Sequence, residues 1–257
     1  MRAFVLPAAL LLGFLFYVFF PGAAALPDKG LRAAYAAWQR LFTRKSGRVD
    51  AFPAALSMAL LLGGTMTLLS AVHPVLCALL LFPLFSAPAV LPACAALKEE
   101  LDSGKYVADT TAYERLVREG CRSLIAPLSL EGILPMLLCA LGLPLHLGAG
   151  FGWTARCLLS INLEGTPFPR AKDALERFAR RLTRWLLLVC CCVLGRSPMR
   201  TKGDEPEDRL LSILGIAGDE TDTHAPVAGD LSLAGFLCCF TLCFFCLICT
   251  LCAMMLI

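Results

Sequence analysis

Leu231 to Ile257 is a run of 27 residues without one charged side chain. A bilayer core of roughly 30 Å is crossed by about 20 apolar residues of helix, because backbone amides there must bond within their own segment. The run is long enough, and other stretches resemble it. The chain is 58% hydrophobic and 17% charged, against about a quarter charged in soluble domains. These values place it in the membrane class, and its 257 residues are read as a single integral membrane domain. The predicted fold is all-α, a polytopic transmembrane helical bundle with cytoplasmic interfacial amphipathic helices. A net charge of +3 gives no basis for a nucleic-acid partner. The expected partner is the lipid bilayer.

Fourteen cysteines invite a metal or disulfide reading. Cys243, Cys246, Cys249 and Cys252 have the spacing of an iron–sulfur run. On a helix, however, steps of three advance by about 300°, so the set drifts through half a turn and cannot aim at one cluster. No metal site is expected, and the thiols are read as small buried hydrophobes.

Six candidate spans emerge: Ala3–Phe20, Phe52–Val72, Val75–Ala96, Ser123–Leu143, the Gly-rich Leu145–Leu163, and Leu231–Ile257. His73-Pro74 predicts a tight hairpin between the second and third. Trp185–Gly195 is 11 residues, too short to span unless it extends into the amphipathic residues before it. Two further segments show helical periodicity beside Arg and Lys. One apolar face is Leu31, Ala34, Tyr35, Trp38, Leu41 and Phe42; another is Ala171, Ala174, Leu175, Phe178, Leu182 and Trp185. A looser third holds Leu97, Leu101, Leu116 and Val117. Such patterns describe helices lying in the membrane interface, the alternative being helices packed on a soluble face.

Six Lys and Arg fall in residues 28–50, five in 97–122 and six in 170–184. The positive-inside bias assigns all three segments to the cytoplasm and the N-terminus to the outside. An acidic polar loop is expected over 197–230. Arg2, the apolar run after it and Gly22-Ala23-Ala24-Ala25 also fit a signal peptide. Cleavage would require translocation of the basic stretch that follows, so the first helix is read as retained.

The nucleotide-binding P-loop, the zinc-protease helix and the nucleophile elbow are all missing. Ionisable groups inside apolar spans carry more weight, since burying a charge in hydrocarbon is costly. Glu131 and Arg156 are such groups, and a Glu131–Arg156 pair would neutralise both. The second concentration is Asp102–Arg122, with Lys105, Asp109, Thr110, Thr111, Glu114, Arg118 and Glu119. Such a set could bind a magnesium–nucleotide and a polar substrate. The structural alternative is a solvated helix laced with i, i+4 pairs such as Glu114–Arg118.

The order of features resembles a family. Val107-Ala108-Asp109-Thr110, then Tyr113-Glu114-Arg115-Leu116-Val117, then Leu124-Ile125-Ala126-Pro127-Leu128 are similar to the core of the adenosylcobinamide-phosphate synthases. Arg156 to Gly165 and Phe178-Ala179-Arg180-Arg181-Leu182-Thr183 resemble two later motifs, and the likeness covers about residues 90–195. Val117-Arg118-Glu119 stands where the family has Ala-Glu-Asn, and Arg122-Ser123 where it has Asp-Gly. The resemblance implies cobalamin biosynthesis in the bacterial plasma membrane: ATP-dependent amide ligation of aminopropanol, or its phosphate, to a corrinoid carboxylate, with ATP and Mg2+ as cofactors. It implies Asp109 and Glu114 as catalytic residues, and Thr110, Arg118, Arg156, Asn162 and Glu164 as substrate contacts. The altered motif equally suits a non-enzymatic membrane regulator or scaffold resembling the β-lactamase-induction signalling protein. A small-solute transporter ranks third, since no internal repeat is evident.

Overall fold

Pro83, Pro88 and Pro92 fall within what the sequence offers as a single span over 75–96, and no single helix covers it. In the computed structural model, which describes residues 4–23, 26–42, 51–85, 90–103, 109–161, 169–193, 195, 205–216 and 224–256, helix α4 (Pro74–Leu81) has only 8 residues. A 3-10 turn at Phe82–Leu84 follows, and a separate helix α5 (Val90–Asp102) begins further on. Proline removes a backbone donor and its ring clashes with the preceding turn, so a helix cannot run through unperturbed. Pro92 is accommodated because it lies in the first turn of α5, where the N–H it lacks would have no helical partner. Every regular element among the described residues is helical, in agreement with the all-α expectation.

Among the described residues two helices are long and apolar enough to cross a membrane: α3 (Ala51–Ser70, 20 residues) and α11 (Ala228–Met255, 28 residues). Only 28% of the most apolar window of α3 is buried inside the protein, and 50% of that of α11. The other expected spans are shorter. Helices α1 (Val5–Phe19), α7 (Leu130–Gly142) and α8 (Gly148–Ser160) have 15, 13 and 13 residues. At a rise of about 1.5 Å per residue, 13 residues cover roughly 20 Å, less than a bilayer core.

The chain divides into two compact units. The first comprises residues 1–86, 131–174 and 246–257. Here α3 and α8 approach closely because both carry glycine at the contact. A Cβ on Gly63 would collide with the Thr154 hydroxyl and come within 2.9 Å of the Gly150 carbonyl, and one on Gly150 would collide with the Thr67 hydroxyl. Thr154 Oγ1 donates to the carbonyl of Ala59 at 3.2 Å. Small residues that let backbones meet are the usual basis of helix packing where lipid supplies no hydrophobic contrast. Helix α2 (Leu26–Gln39) lays Leu31, Tyr35 and Trp38 on Ala55, Met58, Ala59 and Cys157. Trp38 Nε1 donates to Ser57 Oγ at 3.1 Å and Tyr35 OH to the carbonyl of Ala51 at 3.1 Å. Part of the α2 face expected to lie in the membrane interface is therefore packed on protein, while Leu41 beyond it stays exposed. The His73-Pro74 hairpin forms as expected: His73 Nδ1 accepts from Val75 N at 3.2 Å and caps α4, with Pro74 in its first turn.

The second unit comprises residues 87–130 and 175–245. Its centre is α6 (Thr110–Ser123), whose Val117, Gly120 and Cys121 are buried. A Cβ on Gly120 would meet Leu231 Cδ2 at 2.8 Å and Leu97 Cδ1 at 3.3 Å, so α5 and α11 both pass close to it. The expected polar loop contains a helix, α10 (Pro206–Leu214), with Leu210, Leu211, Ile213 and Leu214 buried. Pro206 occupies its first turn, and Gly215, at φ 81°, takes the left-handed conformation that ends it. Trp185–Val193 belongs to α9 (Pro169–Val193), one continuous helix of 25 residues. The short apolar segment thus does extend into the basic, amphipathic residues before it.

Candidate functional site

Asp109 begins the candidate site, and its first task is structural. It stands immediately before α6, where the first four N–H groups of a helix have no partner within it. Its Oδ1 accepts from Ala112 N at 3.0 Å and from Thr111 Oγ1 at 2.7 Å. The Ala112 N–H, followed by the Thr111 hydroxyl, holds the Asp109 carboxyl below the usual aspartate range. Thr110, the first helical residue, is exposed.

Glu114 and Arg118 form the expected i, i+4 pair at 3.8 Å, both half-exposed. Arg118 also donates through Nε to the carbonyl of Ile216 at 3.3 Å. One turn further, Arg122 Nη2 meets Asp208 Oδ1 at 2.9 Å. Arg115 and Glu119 pair at 2.8 Å on the exposed side. The basic residues of α6 therefore divide between bonds along the helix and bonds to α10 and the residues just after it.

Asp109 at the cap and Glu114 five residues on differ by about 7.5 Å along the axis and about 140° around it. The two carboxylates do not converge on one cation. Among the described residues no three His, Cys, Asp or Glu side chains lie close enough to hold a metal ion. A magnesium–nucleotide shared between Asp109 and Glu114 does not fit this geometry. Asn162 and Glu164 lie outside the described residues.

Arg156 belongs to the first unit, on α8, and is 5% exposed. Its Nη1 donates to the backbone carbonyl of Glu131 at 3.4 Å, while the Glu131 side chain is exposed. The contact foreseen between these residues forms at the backbone of Glu131. The same unit holds a cavity of about 200 Å³ between the start of α1, the end of α3 and the starts of α4 and α8, lined by Val5, Ser70, Pro74, Cys77, Leu143 and His146 among others. Drug-sized ligands occupy about 300–1,000 Å³, so this space is small. Ser70 Oγ bonds the carbonyl of Thr67 at 2.8 Å, inside its own helix.

One polar cluster escaped the reading of the sequence. Asp230 is 5% exposed in the first turn of α11. Its Oδ2 accepts from Val227 N at 2.8 Å, and both its oxygens lie 3.1 Å from His224 Nε2. Tyr113 OH accepts from Ala228 N at 3.1 Å. Together these groups satisfy two backbone donors, Val227 N and Ala228 N, at the start of α11 and place negative charge at its positive end. The available signal was an acidic residue immediately before an apolar run. Nearby, burial pushes the Cys121 thiol up to about 12, with further contributions from Asp230 and Cys94.

No protein-family model matches the chain, and no curated protein or solved structure matches it.

Proposed function

We propose that this chain is a polytopic protein of the bacterial plasma membrane that joins aminopropanol, or its phosphate, to a corrinoid carboxylate, in the manner of the adenosylcobinamide-phosphate synthases. The observation that carries the reading is the order of motifs over residues 107–128. Asp109-Thr110 opens a helix, Tyr113-Glu114-Arg115 continues it, and Ala126–Leu128 forms a 3-10 turn that leads into the apolar α7. Two helices of sufficient length and apolarity support residence in the membrane.

Because Asp109 and Glu114 do not share a cation, the roles left to α6 are substrate contacts. Glu114 is suited to an ammonium group. Its present partner, Arg118, is 3.8 Å away and half-exposed, and exchanging an exposed ion pair for a substrate cation costs little, about 0–1 kcal/mol. Thr110 is an exposed donor and acceptor at a helix N-terminus, where anionic groups are favoured. Holding amine and carboxylate together would contribute through proximity.

A second reading, a non-enzymatic scaffold or regulator, is favoured by one specific observation: Asp109, Arg118 and Arg122 are all engaged in capping α6 or fixing Ile216 and Asp208. Expression in a bacterium lacking its own synthase, with cobyric acid supplied, separates the two. Cobalamin-dependent growth supports ligation. Its failure, with the protein recovered in the membrane fraction, supports the scaffold.

A further inference from the structure

Helix α9 is amphipathic twice over. Within the second unit, Ala179, Thr183, Leu186 and Leu187 are buried, and Thr183 Oγ1 donates to the carbonyl of Leu128 at 2.6 Å. Leu175, Phe178, Leu182 and Trp185 occupy a different strip. At about 100° per residue they fall within an arc of about 80° that does not overlap the buried one. Phe178 is 51% exposed and Trp185 71%. An aromatic, apolar strip left outside the core needs an occupant.

Charge decides which occupant. Arg177 and Arg181 are exposed and continue the surface on the Trp185 side of the strip. The acidic residues of the same stretch lie round the helix from it. Glu176 faces Arg180 at 3.7 Å, and Arg180 also meets Glu205 at 3.1 Å. Asp173 falls between Arg180 and Arg177 by helical position, about 120° round the helix from Trp185. We propose that this edge of α9 is a contact for anionic phospholipid: Leu175, Phe178, Leu182 and Trp185 enter the boundary between headgroups and acyl chains, while Arg177 and Arg181 bind lipid phosphate. Tryptophan is enriched at that depth, and basic side chains near an anionic leaflet add attraction. The proposal rests on the membrane reading and is independent of ligation.

The test uses the full chain reconstituted in vesicles with phosphatidylcholine or phosphatidylglycerol brominated near the headgroup end of the acyl chain. The Trp185 signal is taken as the difference between wild type and Trp185→Phe. Quenching of that signal by the brominated anionic lipid should exceed quenching by the brominated zwitterionic lipid by at least about twofold. Arg177→Gln/Arg181→Gln should bring the ratio close to one while keeping quenching by the zwitterionic lipid. Equal quenching by both lipids in the wild type overturns the anionic contact. Quenching by neither lipid also overturns it, with aqueous acrylamide separating Trp185 in water from Trp185 covered by a second copy of the chain. Failure of the chain to float with the vesicles would instead remove the membrane reading, together with this contact.

Discussion

At the residue scale, Asp109 joins two roles that substitution can separate. Asparagine caps a helix about as well as aspartate, whereas alanine does not. Asp109→Asn should therefore leave the circular dichroism of the protein unchanged, and Asp109→Ala should lower its helical signal and thermal midpoint. If the carboxylate serves ligation, Asp109→Asn nonetheless abolishes growth on cobyric acid. The pH dependence follows from the lowered carboxyl: the ionised cap forms above the ordinary aspartate range and persists somewhat below it. It is lost only as pH falls through the depressed value, so the acid fraying of α6 should begin at higher pH in a variant lacking the Thr111 hydroxyl. Glu114→Gln removes an exposed i, i+4 pair and should change stability by only about 0.3–0.5 kcal/mol in denaturant titration. Asp230→Ala is different, because it strands the Val227 N–H at the start of α11; a loss of about 1–3 kcal/mol is expected. Cys121, buried and with its thiol pushed up to about 12, should resist maleimide at neutral pH, while exposed Cys192 reacts.

At the element scale, the close approach of α3 and α8 turns on glycines that a reading of hydropathy treats as weakness. Gly63→Leu would drive a side chain into Thr154 and the Gly150 carbonyl, and overpacking of this kind costs about 1–3 kcal/mol or more. Thermal unfolding in detergent should show the loss, and Gly64→Leu, where a Cβ meets open space, should not. The same elements show what the sequence made legible. Helix α3, α11, the His73-Pro74 hairpin and the Glu114–Arg118 pair followed from apolar length, turn chemistry and i, i+4 spacing. The span over 75–96 did not survive, because proline overrides hydropathy locally. Helix α10 was hidden because its acidic residues dominate the composition, although Pro206, the Leu210-Leu211 and Ile213-Leu214 pairs and Gly215 mark its ends and its buried side. The face of α2 was legible as amphipathic, but periodicity alone does not say whether protein or lipid covers it.

At the scale of the whole molecule, two helices among the described residues are long and apolar enough to cross a membrane. Of the candidate site, sequence order located Thr110, Glu114 and Arg118 on one helix with Asp109 just before it, but could not foresee that a cap and a fifth helical residue point in different directions. Nor could it foresee that Arg156 would bond a backbone carbonyl. The ligation account is tested most directly on membranes from cells expressing the chain in a synthase-deficient background, incubated with cobyric acid, aminopropanol and magnesium–ATP and analysed by mass spectrometry. The account predicts a corrinoid product heavier by aminopropanol less one water, absent when the chain carries Glu114→Gln. Recovery of unmodified cobyric acid from membranes that contain the intact protein, with the amine offered both free and as its phosphate, would contradict it.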